Sequence, residues 1–203
     1  MRVLLLAVLS VSCGLKAQLV QPGAPGEPGR VVSPRQAADL SQIHYTAADV
    51  RFMQGMVGHH AQAVEMTALA ASRTLREDMR WLATRIALSQ ADEIQMMQDW
   101  LTARGAQLPD PHAHHAQGAA LMPGMLTADE MRVLAAAKGA DFDRLFLELM
   151  IKHHEGALVM GDELFSAAGA GPQSAVFAFA SDVDADQRME IDRMGSMLKE
   201  IQK

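Results

Sequence analysis

Two adjacent histidines, His59 and His60, recur later in the chain as His153 and His154, and each pair sits among methionines. Imidazole nitrogen and thioether sulfur together are ligands for soft or borderline metal ions, with Cu(I) foremost and Cu(II) accepted by the nitrogens. A thioether has no proton to titrate, so methionine remains a ligand where a thiolate would be lost. On a helix, Met53, Met56 and His60 share one stripe, and Met56, His59 and Met66 share the adjoining one; Met150, His153, His154 and Met160 repeat the arrangement. Methionine at helical spacing is usually flexible core filler, and a single histidine on an apolar face is usually a satisfied polar group. Two adjacent histidines are harder to treat that way, because their side chains diverge by about 100° around the helix. Packing alone gives no reason for both copies to keep two imidazoles.

These residues belong to an internal repeat. Asp49-x-x-Phe52-Met53-x-x-Met56-Val57-x-His59-His60-x-x-Ala63-Val64-x-Met66 reappears as Asp143-x-x-Phe146-Leu147-x-x-Met150-Ile151-x-His153-His154-x-x-Ala157-Leu158-x-Met160, at a constant offset of 94. Glu93-Ile94-x-x-Met97-x-x-Trp100-Leu101 returns more faintly as Glu190-Ile191-x-x-Met194-x-x-Met197-Leu198, at an offset of 97. Each copy reads as a helical hairpin. A capping box at Thr46 and Asp49 opens the first helix, which keeps its apolar spacing through Ala71. Thr74 with Glu77 predicts a second capping box and a helix to about Arg104, ended by Gly105. Thr127 and Glu130 cap a short helix, a third long helix covers about 141–168 up to the Gly169-Ala170-Gly171 turn, and a fourth runs from about Gln173 to Ile201. Two hairpins joined by their apolar faces make an all-α four-helix bundle with approximate two-fold symmetry. Its halves are about 46–104 and 141–202, joined by a His/Met/Pro loop over 105–126.

Counting back across each turn places the partner helices. An antiparallel neighbour passes His59 near Gln90 and Glu93, and passes His153 near Gln187 and Glu190. Met97 and Met194 follow one turn further on. An up-down-up-down order would bring the two histidine pairs to one level. If Glu93 and Glu190 join the ligands, the set shifts towards zinc, iron or manganese. The central loop is a second metal candidate: His112, His114 and His115 stand near Met122 and Met125 among prolines. A short histidine run in a polar loop also serves solubility alone, and no cysteine pair makes this a structural zinc motif.

Composition agrees with a helical domain. Of 203 residues, 49% are hydrophobic and 21% charged, enough for a core and against disorder. There are 15 Met and 8 His against 6 Phe, 2 Trp and 1 Tyr, and Ala and Leu outweigh the β-branched residues, which favours helix over sheet. The net charge of −6, with no basic stripe, excludes electrostatic nucleic-acid binding. Residues 1–17 read as an export signal: Arg2, the apolar run Val3–Val11, then small residues. That run is too short to span a bilayer in the mature chain. Cys13, the one cysteine, is either removed by cleavage near Ala17 or carries a lipid anchor; neither route leaves a thiol in the folded domain. Residues 18–45, with Pro22, Pro25, Pro28 and Pro34, read as a linker without a core.

The histidine pairs in their methionine setting, Gln90-x-x-Glu93-Ile94-x-x-Met97-x-x-Trp100-Leu101, and Met122-Pro123-Gly124-Met125 resemble the family called domain of unknown function 305. The likeness covers Thr46 to the C-terminus. It implies a ferritin-like four-helix bundle and, from several exported members, copper binding or copper tolerance. The residues it marks are His59, His60, Met56, Met66, His153, His154, Met150, Met160, Met122 and Met125. Where the family commonly has proline before each pair, this chain has Gly58 and Lys152; where Gln or Glu commonly follows, the first copy has Ala61. The Glu-x-x-His signature of di-iron bundles is absent, so the fold does not bring ferroxidase chemistry with it.

Three readings compete on the sequence. The first is an exported protein that buffers copper or passes it to a metal-exporting or metal-accepting partner. The second is a metal-dependent oxidase or hydrolase that joins the histidine pairs to Glu93 and Glu190, although no Ser-His-Asp arrangement, phosphate loop or nucleotide fingerprint accompanies them. The third is a helical bundle, structural or partner-binding, whose histidines only pack.

Overall fold

The computed structural model describes residues 18–21, 28–37, 45–116, 118, 120–167 and 175–202. The expected export signal with Cys13, and the turn at Gly169–Gly171, lie outside the described residues. Four long helices form the body: α2 (Ala47–Arg73), α3 (Glu77–Thr102), α5 (Gly139–Ser166) and α6 (Ala175–Ile201). The short α4 (Ala128–Ala136) lies between the halves; β1 (Leu19–Gln21), β2 (Arg30–Val32) and α1 (Pro34–Ala37) come first. The chain is therefore all-α apart from a two-stranded antiparallel ladder in which Leu19 faces Val32. That ladder falls in the stretch expected to be an unstructured linker, but its Leu19, Val20 and Val31 stay exposed and build no core. No helix among the described residues is long and apolar enough to cross a membrane.

Local chemistry sets most helix ends. Thr46 accepts from the Asp49 N–H while the Asp49 carboxylate takes the Thr46 N–H at 2.6 Å, and Thr127 with Glu130 closes the second box. Gly105, at φ +64°, ends α3 as the Ala106 N–H reaches back to the Leu101 carbonyl. The expected box at Thr74 does not form. The Thr74 hydroxyl accepts instead from the Arg76 N–H two residues on, and α3 begins at Glu77 with Arg76 at the N-cap position and no side-chain cap.

α2 packs on α3, α5 packs on α6, and the hairpins meet along α2 and α5. The packing settles their relative direction, which the sequence leaves open. The beginning of α2 (Phe52, Met53, Met56) shares a core cluster with the end of α5 (Ala157, Met160, Leu164). The end of α2 (Ala63, Met66, Ala70) shares the other with the start of α5 (Phe142, Phe146, Met150). The first and third long helices are thus antiparallel, and the order is up-down-down-up. Such an order needs a connection running the length of the bundle. Residues 103–138, with α4, supply it and cross the middle of α2 and α5, where both histidine pairs lie.

Candidate metal centre

His59, His60, His153 and His154 are all buried at mid-bundle, none more than 1% exposed. The rings of His59 and His153 lie 3.9 Å apart between centroids, inclined at 40°, with His60 and His154 flanking them at 6.3 and 6.2 Å. Both pairs therefore do reach one level, through antiparallel rather than parallel crossing.

Every imidazole is held by its Nε2. His60 Nε2 lies 2.6 Å from Glu93 and His154 Nε2 lies 2.7 Å from Glu190. His59 Nε2 donates to the Pro123 carbonyl at 3.0 Å, and His153 Nε2 donates to the His59 carbonyl at 3.0 Å. A carbonyl oxygen only accepts, so His59 and His153 carry a proton on Nε2. The Nδ1 atoms of His59, His60 and His154 are buried without any hydrogen-bond partner, as are Oε1 of Gln90 and Gln187. Burial, then repulsion from His60, lowers the His59 pKa to about 3; burial and then His59 hold His153 well below its usual range. Both rings are neutral at pH 7, with their lone pairs free to bind a metal.

The helical counts brought Glu93 and Glu190 opposite the pairs, and the structure joins each to a histidine. Each is engaged as the acceptor that orients a histidine, the usual outer partner of a metal-bound imidazole. The buried imidazole and carboxylate atoms do not bring three ligand atoms within 4.8 Å of one another; among the described residues only Glu65, His114 and His115 do.

The methionines divide symmetrically about the histidine layer. Met56, Met97 and Met160 share the cluster on one side, and Met150, Met194 and Met66 share the cluster on the other. Met56 and Met66, placed on one stripe by sequence, thus fall in opposite lobes, since ten residues of helix separate them by about 15 Å. Each lobe draws two methionines from one repeat and one from the other. All six are buried, with Met160 at 8% the most exposed.

Met122-Pro123-Gly124-Met125 closes the site from outside. It is a tight turn, the Met125 N–H on the Met122 carbonyl, with Gly124 at φ +74°. The turn lies backbone to backbone on α5: a Cβ on Gly156 would sit 2.0 Å from the Pro123 oxygen. That approach aims the Pro123 carbonyl at His59. Met122 rests over Gly55 and Gly58 of α2, Met125 is buried, and Gln62 exchanges two hydrogen bonds with Leu126 at 2.6 and 3.0 Å.

The loop histidines gather elsewhere, around Glu65 of α2. His112 Nδ1 and His115 Nε2 lie 2.8 and 2.9 Å from Glu65 Oε1, and His114 Nε2 lies 3.6 Å from Oε2. Partial burial would raise the Glu65 pKa, but hydrogen bonds from His115 and His112 outweigh it and leave the carboxyl below its ordinary value. Sequence reasoning missed Glu65. A signal existed, for the repeat breaks there: Glu65 of the first copy aligns with Val159 of the second.

The chain matches the family described as "Domain of unknown function (DUF305)" over residues 49–198. Among solved structures, it resembles a DUF305 protein from Streptomyces coelicolor, assigned as secreted, with TM-score 0.66 and 32% identity over 76% of this chain and 93% of that one. A DUF305 fragment from Deinococcus radiodurans superposes with TM-score 0.65 at 33% identity, over 76% of this chain and 97% of that one. CopM in its Cu(II)-bound form superposes with TM-score 0.62 at 26% identity, over 75% of this chain and 96% of that one. No curated protein matches the chain.

Proposed function

Since the chain belongs to the DUF305 family, we propose that it is an exported metal-binding protein that holds copper inside its bundle and buffers or delivers it outside the cytoplasm. The observation that carries this reading is the set of bare, buried Nδ1 atoms on His59, His60 and His154, each on a ring anchored through Nε2. A buried lone pair without a partner costs on the order of 1–3 kcal/mol. A bundle whose histidines only packed would gain nothing from keeping three of them, whereas a metal satisfies them. The copper-bound likeness supports the same choice of metal. So does the ligand set: neutral imidazoles with buried thioethers suit Cu(I) before zinc, iron or manganese, which the engaged Glu93 and Glu190 would otherwise favour.

Export rests on the leader-like residues 1–17 and on the secreted relative. A deeply buried site exchanges metal only by opening or by handing it to a partner, which fits storage or transfer to a metal-exporting or metal-accepting protein better than turnover. A site present only in the folded state must raise the melting temperature when its metal is added. Cu(I) added to the metal-free domain is expected to raise it; an unchanged melting temperature would mean a bundle without a metal function.

A further inference from the structure

We propose that Glu65, His114 and His115, with His112 on the same carboxylate, form a second metal site at the bundle surface for a divalent ion of borderline character. This site does not depend on the interior one. Its ligand atoms on Glu65, His114 and His115 lie within 4.8 Å of one another.

The strongest sign is at His114. Its Nδ1 donates to the Pro111 carbonyl at 3.1 Å, which fixes the proton there and leaves Nε2 a bare lone pair. Nε2 is buried without a hydrogen-bond partner, on a side chain only 6% exposed, and it faces Glu65 Oε2 at 3.6 Å. A neutral imidazole nitrogen and a carboxylate oxygen are both acceptors, so nothing in the pair joins them. A cation with bonds of about 2.0–2.1 Å to nitrogen and about 2.0–2.2 Å to oxygen would bridge that gap. His115, its ring tilted against that of His114 with centroids 4.2 Å apart, brings a second imidazole, and Pro109 and Pro111 lead into the turn that carries them.

The chemical class follows from the donors. Imidazoles with a carboxylate and no sulfur suit Zn(II) or Cu(II) rather than Cu(I), in contrast to the thioether-rich interior. Access differs as well: the side chains of His112 and His115 are 61% and 57% exposed, so an ion reaches them without the bundle opening. The site belongs to one half only, because Val159 takes the place of Glu65 in the second copy and cannot ligate.

Zn(II) titration of the metal-free full chain by calorimetry tests the proposal, beside Glu65→Gln and His114→Ala/His115→Ala variants checked for unchanged helicity. The wild type is expected to bind Zn(II) with an equivalent that the double histidine variant lacks and that Glu65→Gln holds at least about tenfold more weakly. A His60→Ala/His154→Ala variant keeps that equivalent. Identical Zn(II) stoichiometry and affinity in wild type and both loop variants would overturn the proposal, as would a wild-type chain that binds no Zn(II).

Discussion

His59 and His153 meet at the centre of the bundle with ring centroids 3.9 Å apart and ring planes inclined at 40°, and His153 donates through Nε2 to the backbone carbonyl of His59 itself. Two imidazoles so close tolerate each other only while uncharged. Desolvation first, then repulsion from neighbouring histidines, holds both pKa values well below 6.5, which makes the metal-free protein acid-sensitive in a defined direction.

In the unfolded chain these histidines titrate near 6.5, while in the folded chain His59 does so at about 3. Below pH 6.5 the unfolded state therefore binds more protons, and stability falls as pH falls. The metal-free protein is expected to have its full stability above pH 6.5 and to lose it progressively from there towards pH 5, before most carboxylates titrate. Denaturant midpoints measured across that range check this. A His59→Gln/His153→Gln variant should show a shallower slope, and an equal slope would contradict the origin assigned here.

Glu93 and Glu190 orient His60 and His154 across 2.6 and 2.7 Å. Glu93→Gln/Glu190→Gln keeps an oxygen that can accept the Nε2 proton but removes the charge that raises ligand basicity. Metal affinity should fall by about 10–100-fold with little change in helicity, as read by competition with a chromophoric Cu(I) chelator. A complete loss would instead make the two carboxylates direct ligands.

Gly156 admits no side chain, for a Cβ there would lie 2.0 Å from the Pro123 oxygen and 2.5 Å from the Gly124 Cα. Gly156→Ala should push the Met122–Met125 turn off α5, destabilise the protein by about 1–3 kcal/mol, and lower the melting temperature by several degrees. His59 loses its acceptor at the same time, so metal affinity should fall together with stability. The alanine variant at Gly195, where a Cβ meets nothing, is the control and should do neither.

The sequence made the helices legible because their apolar spacing and caps are local. Thr46 and Thr127 cap as their neighbours dictate, and counting along the helices set Glu93 and Glu190 opposite the histidine pairs, where they meet His60 and His154 rather than His59 and His153. Three features escaped, one to a competing local bond and two because they are not local. Thr74 chose the nearer Arg76 N–H over the Glu77 partnership. The direction of α5 depends on how the 103–138 connection crosses the bundle, about which a periodic pattern is silent. Glu65 meets the loop histidines across about fifty residues of chain, and only the break in the repeat at Val159 marked it.

The most direct test of the account is Cu(I) affinity, measured by chelator competition on the metal-free protein and on a His59→Ala/His60→Ala/His153→Ala/His154→Ala variant, with helicity confirmed in both. The account predicts tight binding by the wild type and a loss of several orders of magnitude in the variant. Equal affinity in the two proteins, or no Cu(I) binding by the wild type, would contradict the claim that these four imidazoles hold the metal.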